Sequence, residues 1–182
     1  MGVIVALLSA VDVGGRKALS ADLKRICADL GWTRVETLLA SGNIIADIGR
    51  KPPASVAADL EAAIRAAFGF ESAVIVRDRR ALEAVIDRVP FTDFDPSRLM
   101  VHFLKKAPNA AACAALAKFA AEKSAEPYVI DGAEIFIRCD AGIADSRLTA
   151  QVLKRHLGTP GTARNWNTVA KLHVRALALE SA

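Results

Sequence analysis

Six consecutive apolar residues, Val3-Ile4-Val5-Ala6-Leu7-Leu8, stand near the start of the chain without a charge among them. A run this short, broken afterwards by Gly14-Gly15, reads as a strand buried on both faces. Polar side chains return at Ser9 and Asp12, and a flexible strand-to-helix loop with Arg16 and Lys17 follows. In sheets covered by helices, the end of such a strand is where ligands gather. Ser9, Asp12, Arg16 and Lys17 are therefore the first candidate site residues.

The rest of the first half alternates between helical and strand patterns. Ser20 is a natural helix N-cap with Asp22 in the first turn, and Leu23, Ile26 and Leu30 recur at helical spacing. Gly31 ends that helix as a left-handed cap, with Trp32 placed for a Schellman-type contact. Val35, Thr37 and Leu39 alternate with Glu36 and Leu38, Ser41-Gly42-Asn43 turns the chain, and Ile44-Ile45 resumes a strand. Pro52-Pro53 and Ser55 open a helix striped by Val56, Leu60, Ile64 and Phe68, Gly69 closes it, and Ala73–Val76 is a fourth strand. The order βαββαβ predicts a ferredoxin-like unit over residues 1–78.

Residues 79–97 read as a helical connector: Asp78 caps a short helix (Leu82, Val85, Ile86, Val89), which Pro90 stops. Leu99–Leu104 is a strand ending at Lys105-Lys106. Asn109 caps an alanine-rich helix with Leu116 and Phe119, and Asp131-Gly132 joins Tyr128–Ile130 to Glu134–Ile137 as a hairpin. Ser146 caps a helix with Leu148, Val152 and Leu157, and Gly158 ends it. A last helix spans about Thr168–Leu179. Residues 98–182 thus form a second, βαββα-like unit with a C-terminal helix in place of a fourth strand, and the whole chain is α+β.

Composition removes several functional classes. No stretch of about 18 apolar residues exists, which excludes a membrane span, and the opening apolar run lacks a basic leader, which points to a cytoplasmic protein. Cys27, Cys113 and Cys139 are far apart and form no C-x-x-C pair, so buried inert thiols are expected rather than disulfides or zinc ligands. His102, His156 and His173 form no metal-binding pattern, so no metal site is expected. No catalytic group and no cofactor can be named from the residues. The net charge of +4 is concentrated at the end: residues 147–182 hold six cations (Arg147, Lys154, Arg155, Arg164, Lys171, Arg175) against Glu180.

Three segments, Leu7–Gly15, Ser41-Gly42-Asn43-Ile44 and Thr162–Leu172, together resemble the bacterial domain-of-unknown-function family 1697. The resemblance implies an α+β, ferredoxin-like fold and carries no activity with it. Two departures matter. Ser9 and Asp12 stand where relatives usually have arginine and asparagine, and Leu38 and Ala40 where they have an aromatic residue and glutamine. A carboxylate in place of a cation weakens the case for an anion at that strand end itself.

The segment Thr162–Lys171 is the second candidate site. Arg164, Asn165, Trp166, Asn167, Thr168 and Lys171 crowd a guanidinium, two amides, an indole, a hydroxyl and an ammonium around a helix N-terminus, which favours an anion. Each has a structural alternative: Asn165 or Asn167 as a cap, Trp166 in a core, Arg164 paired with an acid such as Asp12. With Ser41 and Asn43 of the turn, the expected reading is an anionic or nucleotide-like small molecule in a cleft between the first strand's end and residues 164–171. A nucleic-acid partner ranks lower, because the strands lack the aromatic RNA-recognition pattern. A protein-interaction module, including a homodimer, is the third reading.

Overall fold

The computed structural model describes residues 2–9, 12–13, 16–17, 20–39 and 42–181, with backbone alone for 12, 13, 16, 17, 53 and 54. Two compact units result, one of residues 1–84 with 171–182 and the other of residues 85–170. The chain passes between them inside its third and its last helix.

The first unit contains β1 (Val3–Leu8), the short strands β2 (Asp12–Val13) and β3 (Arg16–Lys17), α1 (Ser20–Asp29), β4 (Thr33–Leu38), β5 (Asn43–Asp47), α2 (Pro53–Phe68), β6 (Val74–Asp78) and α3 (Arg79–Asp87). Its four long strands form an antiparallel sheet in the order β4-β5-β1-β6. This is the ferredoxin-like arrangement, with β1 central and wholly buried as its composition requires. Ile4, Ala6 and Leu8 pack with Leu23, Ile26 and Cys27 of α1 and with Val56, Leu60 and Ile64 of α2. Burying a leucine or isoleucine contributes about 1.5–3 kcal/mol each. Val5, Leu7, Ile45 and Ile75, on the opposite pleat, are buried as well.

The helix ends follow local chemistry. Gly31 has φ 78°, its N–H donates to Ala28 O at 2.9 Å, and Trp32 N–H donates to Cys27 O at 2.9 Å, the paired bonds of a Schellman motif. Trp32 and Cys27 lie in the same core. Asp78 Oδ1 accepts the Ala81 N–H at 2.7 Å and so caps α3. Two features differ from expectation. Leu39 does not extend β4: it is exposed, with φ 60°, so the strand's alternation ends one residue sooner. The segment bearing Arg16 and Lys17 is a two-stranded hairpin rather than a loop, with Asp12 opposite Lys17 and Val13 opposite Arg16.

The second unit contains β7 (Leu99–Leu104), α4 (Ala110–Lys123), β8 (Tyr128–Asp131), β9 (Glu134–Arg138), a 3-10 turn (Ile143–Asp145), α5 (Ala150–Leu157), β10 (Gly161–Asn165) and the start of α6 (Trp166–Ser181). Its sheet order, β10-β7-β9-β8, repeats that of the first unit. The fourth strand is thus present, and the expected βαββα-like unit is a full βαββαβ unit. The reason lies in its residues: Gly-Thr-Ala-Arg-Asn has no large apolar side chain and no alternation to read. It is held as a strand by five register pairs with β7, from Gly161–Leu104 to Asn165–Met100. Gly161 is required there, because a Cβ would stand 2.5 Å from His102 Nε2 and 2.7 Å from Phe103 O. The last helix accordingly starts at Trp166, before the predicted Thr168.

The helix-covered face of this sheet packs Leu104, Ile135 and Ile137 with Leu116 of α4 and Leu153 and Leu157 of α5. Asn109 caps α4 by accepting the Ala112 N–H at 2.8 Å. Thr149, and not Ser146, caps α5: its hydroxyl accepts from Val152 N at 3.3 Å. Ser146 instead follows the 3-10 turn, while the Glu126 carboxylate receives the N–H groups of Arg147 (2.8 Å) and Leu148 (3.3 Å).

Candidate functional site

The end of β1 collects three segments of the first unit. Leu8 N–H donates to Gly42 O at 2.9 Å, which brings in the β4–β5 turn. Ser9 N–H donates to Ala73 O at 2.9 Å, and Ser9 Oγ accepts the Ala73 N–H at 2.9 Å, which brings in the entry to β6. The β2–β3 hairpin starts three residues after Ser9 in the sequence and carries Asp12 on one strand and Arg16 and Lys17 on the other. Asn43 is fully buried, and its Nδ2 donates to Leu38 O at 2.8 Å, so its amide clamps the turn. Ser41 lies outside the described residues. Leu39, 56% exposed in a left-handed conformation, and buried Ser72 belong to the same end and were missed by sequence reading. The antiparallel pairing of β1 with both β5 and β6 brings them there, and no local pattern signals it.

The second candidate segment divides between the two units: Arg164, Asn165, Trp166 and Asn167 lie in the second, Lys171 in the first. Arg164 is a β10 residue, only 6% exposed. Its Nη1 donates to Thr162 Oγ1 at 2.7 Å and to Ala163 O at 2.8 Å. Burial pulls its guanidinium down to about 10. Asn165 works twice: Oδ1 accepts the Asn167 N–H at 3.0 Å, capping α6, and Nδ2 donates to Ser97 O at 2.8 Å. Trp166 meets Phe94 edge-on with ring centroids 5.7 Å apart. Asn167 and Lys171 are exposed on α6, four residues apart.

Side-chain chemistry elsewhere is muted. Burial pushes the Cys27 thiol up to about 12, and burial together with the Glu126 charge raises Cys139 to about 11. Neither is a thiolate at neutral pH. His102 is held down at about 4, by burial first and the Arg164 charge second, so its ring is neutral. Among the described residues no group of three or more His, Cys, Asp or Glu side chains could hold a metal ion. Among the described residues no helix is long and apolar enough to cross a membrane.

A family model described as "Protein of unknown function (DUF1697)" matches residues 1–136. No curated protein matches the chain. Among solved structures it is similar to the conserved bacterial protein SP0830 from Streptococcus pneumoniae, with a TM-score of 0.65 and 20% identity over 96% of this chain and 98% of that one. At that identity the likeness establishes a shared fold and nothing about chemistry.

Proposed function

The chain belongs to the DUF1697 family, and from that premise we propose that it binds an anionic small molecule of phosphate- or nucleotide-like chemistry at the β1 end of its first unit. The observation that carries this reading is the hairpin: β3 holds Arg16 and Lys17 paired with β2, which begins three residues after Ser9. A short paired segment fixes the backbone under two cationic residues at less ordering cost on binding than a free loop would. The hairpin carries two cations, Arg16 and Lys17, against the single carboxylate of Asp12 opposite Lys17, a net positive charge. Exposed Ser9 adds a hydroxyl at the same end of β1.

The polar groups that the fold itself uses are less available. Asn43, Arg164 and Asn165 each make hydrogen bonds to their own unit, so their part in this reading is to hold elements in place. Lys171, exposed on the part of α6 that belongs to the first unit, remains as a contributor.

A thermal-shift titration with inorganic phosphate, nucleotides and dicarboxylates tests the reading. A ligand present at 100 times its Kd stabilises the folded protein by about 2.7 kcal/mol, which is a clear rise in Tm. The Arg16→Ala/Lys17→Ala double variant is expected to lose that rise while keeping its ligand-free Tm. If no anion shifts the wild type, or if the double variant responds unchanged, the hairpin is not the binding element. Lys171→Ala, titrated alongside, reports whether α6 shares in binding.

A further inference from the structure

We infer that the second unit carries a separate, sequence-independent nucleic-acid-binding surface at the end of its sheet where β7 stops and β10 starts. The inference stands apart from the small-molecule reading, since all of its residues lie in the other unit. Lys105 N–H donates to Pro160 O at 2.9 Å, and Gly161 pairs with Leu104, so the exit of β7 and the entry of β10 lie side by side. Lys105 and Lys106 follow β7 directly, and both are exposed. Lys154 and Arg155, also exposed, occupy the last turn of α5, which Gly158 closes just before Pro160. Four cations from two distant stretches of sequence are thereby gathered at one end of one sheet.

Three of the four, Lys106, Lys154 and Arg155, are not held by the carboxylates of this unit. Asp131 and Glu134, at the neighbouring β8–β9 turn, both face Arg88, at 3.1 and 3.8 Å. Asp95 is paired with Arg98, Asp140 with Arg138, and Glu126 receives backbone N–H groups. Lys106, Lys154 and Arg155 have no ion-pair partner among the described residues. Complementing the α5 dipole accounts for Lys154 and Arg155 and leaves Lys106, at the exit of β7, unexplained.

The kind of partner follows from what the surface lacks. Among the described residues the exposed large hydrophobics are Leu39, Val129, Ile143, Val174 and Leu177, and none stands at Lys105–Lys106 or Lys154–Pro160. An acidic protein partner would need an apolar anchor at the centre of its interface. Attraction to a phosphate backbone needs only cations, because released counterions drive it. The sheet-face mode of RNA recognition is not the one used, since Val101, Phe103 and Phe136 on that sheet are fully buried.

Fluorescence anisotropy of the full chain with a labelled mixed-sequence oligonucleotide, across a salt series, decides the matter. Three or four phosphate contacts predict a log-log slope of about −3. The Lys106→Glu/Lys154→Glu/Arg155→Glu variant should retain its helical signal and melting temperature and lose at least tenfold in affinity at low salt. The neutral Lys154→Gln/Arg155→Gln variant should fall between, with the slope reduced by about 2. Absence of binding at low salt, binding indifferent to these substitutions, or a preference for polyglutamate or anionic vesicles over the oligonucleotide would each overturn the inference.

Discussion

His102 sits at the middle of β7, 1% exposed, with its ring lying over the bare backbone of Gly161. Its ordinary pKa near 6.5 falls to about 4 in the folded chain. The neutral ring is the folded form, so its contribution to stability is complete above pH 6.5 and is lost as pH falls from there toward 4. In that window the unfolded chain binds the extra proton, and stability should drop by roughly 1 kcal/mol per pH unit from this group. Urea unfolding at several pH values checks this: His102→Gln should flatten the dependence between pH 4 and 6.5, whatever its cost at neutral pH. From the sequence His102 was only a lone histidine in a strand. The glycine that makes room for it is 59 positions away in the numbering, a relation no local pattern encodes. Arg164 shows the same limit: a guanidinium near a helix start suggested a ligand fork, and the strand that buries it was not visible.

At the scale of elements, caps and turns were the most legible features, because each depends on a few adjacent residues. Gly31, Asp78, Asn109 and Gly158 end or begin helices as their chemistry requires. Ser146 misled because Thr149, three residues later, offers an equivalent hydroxyl and has the Val152 N–H in reach. Asn165 joins two elements at once, capping α6 and holding Ser97 of the segment before β7. Asn165→Ala should therefore cost about 1–2 kcal/mol, more than a simple cap in a peptide. Asn165→Asp keeps the acceptor and loses the donor, and its loss should be smaller. Chemical denaturation of the two variants beside the wild type measures the split. Equal losses would mean the tether to Ser97 alone accounts for the effect.

For the whole molecule, the decisive fact is that the first unit is not contiguous in sequence: residues 171–182 group with residues 1–84. Arg34, itself at φ 52° beside an irregularity in the β4–β5 register, donates to Leu179 O and to Asp47 Oδ2. Arg79 is paired with Glu180. Leu172, Ala176 and Leu179 of the same stretch are buried. Deleting residues 171–182 should then destabilise the first unit by about 3 kcal/mol or more from the two leucines alone. Hydrogen exchange would show it as faster exchange of β1 and β5 amides, with those of β7 and β9 less affected. Uniform loss across both units would contradict this assignment.

What the sequence by itself determined is the set of elements written in short-range chemistry: the buried β1, the striped helices, their glycine and asparagine ends, and hence the α+β class. These depend on periodicity and on caps a few residues long, which a chain displays without being folded. The tertiary structure alone decided that β10 completes a second ferredoxin-like sheet, that Arg164 is buried in it, and that the exit of β7 lies beside the entry of β10. Those outcomes come from backbone pairing between distant segments. A strand of Gly, Thr, Ala, Arg and Asn gains its place from the neighbour it bonds to, because its own side chains offer no apolar pattern to do so.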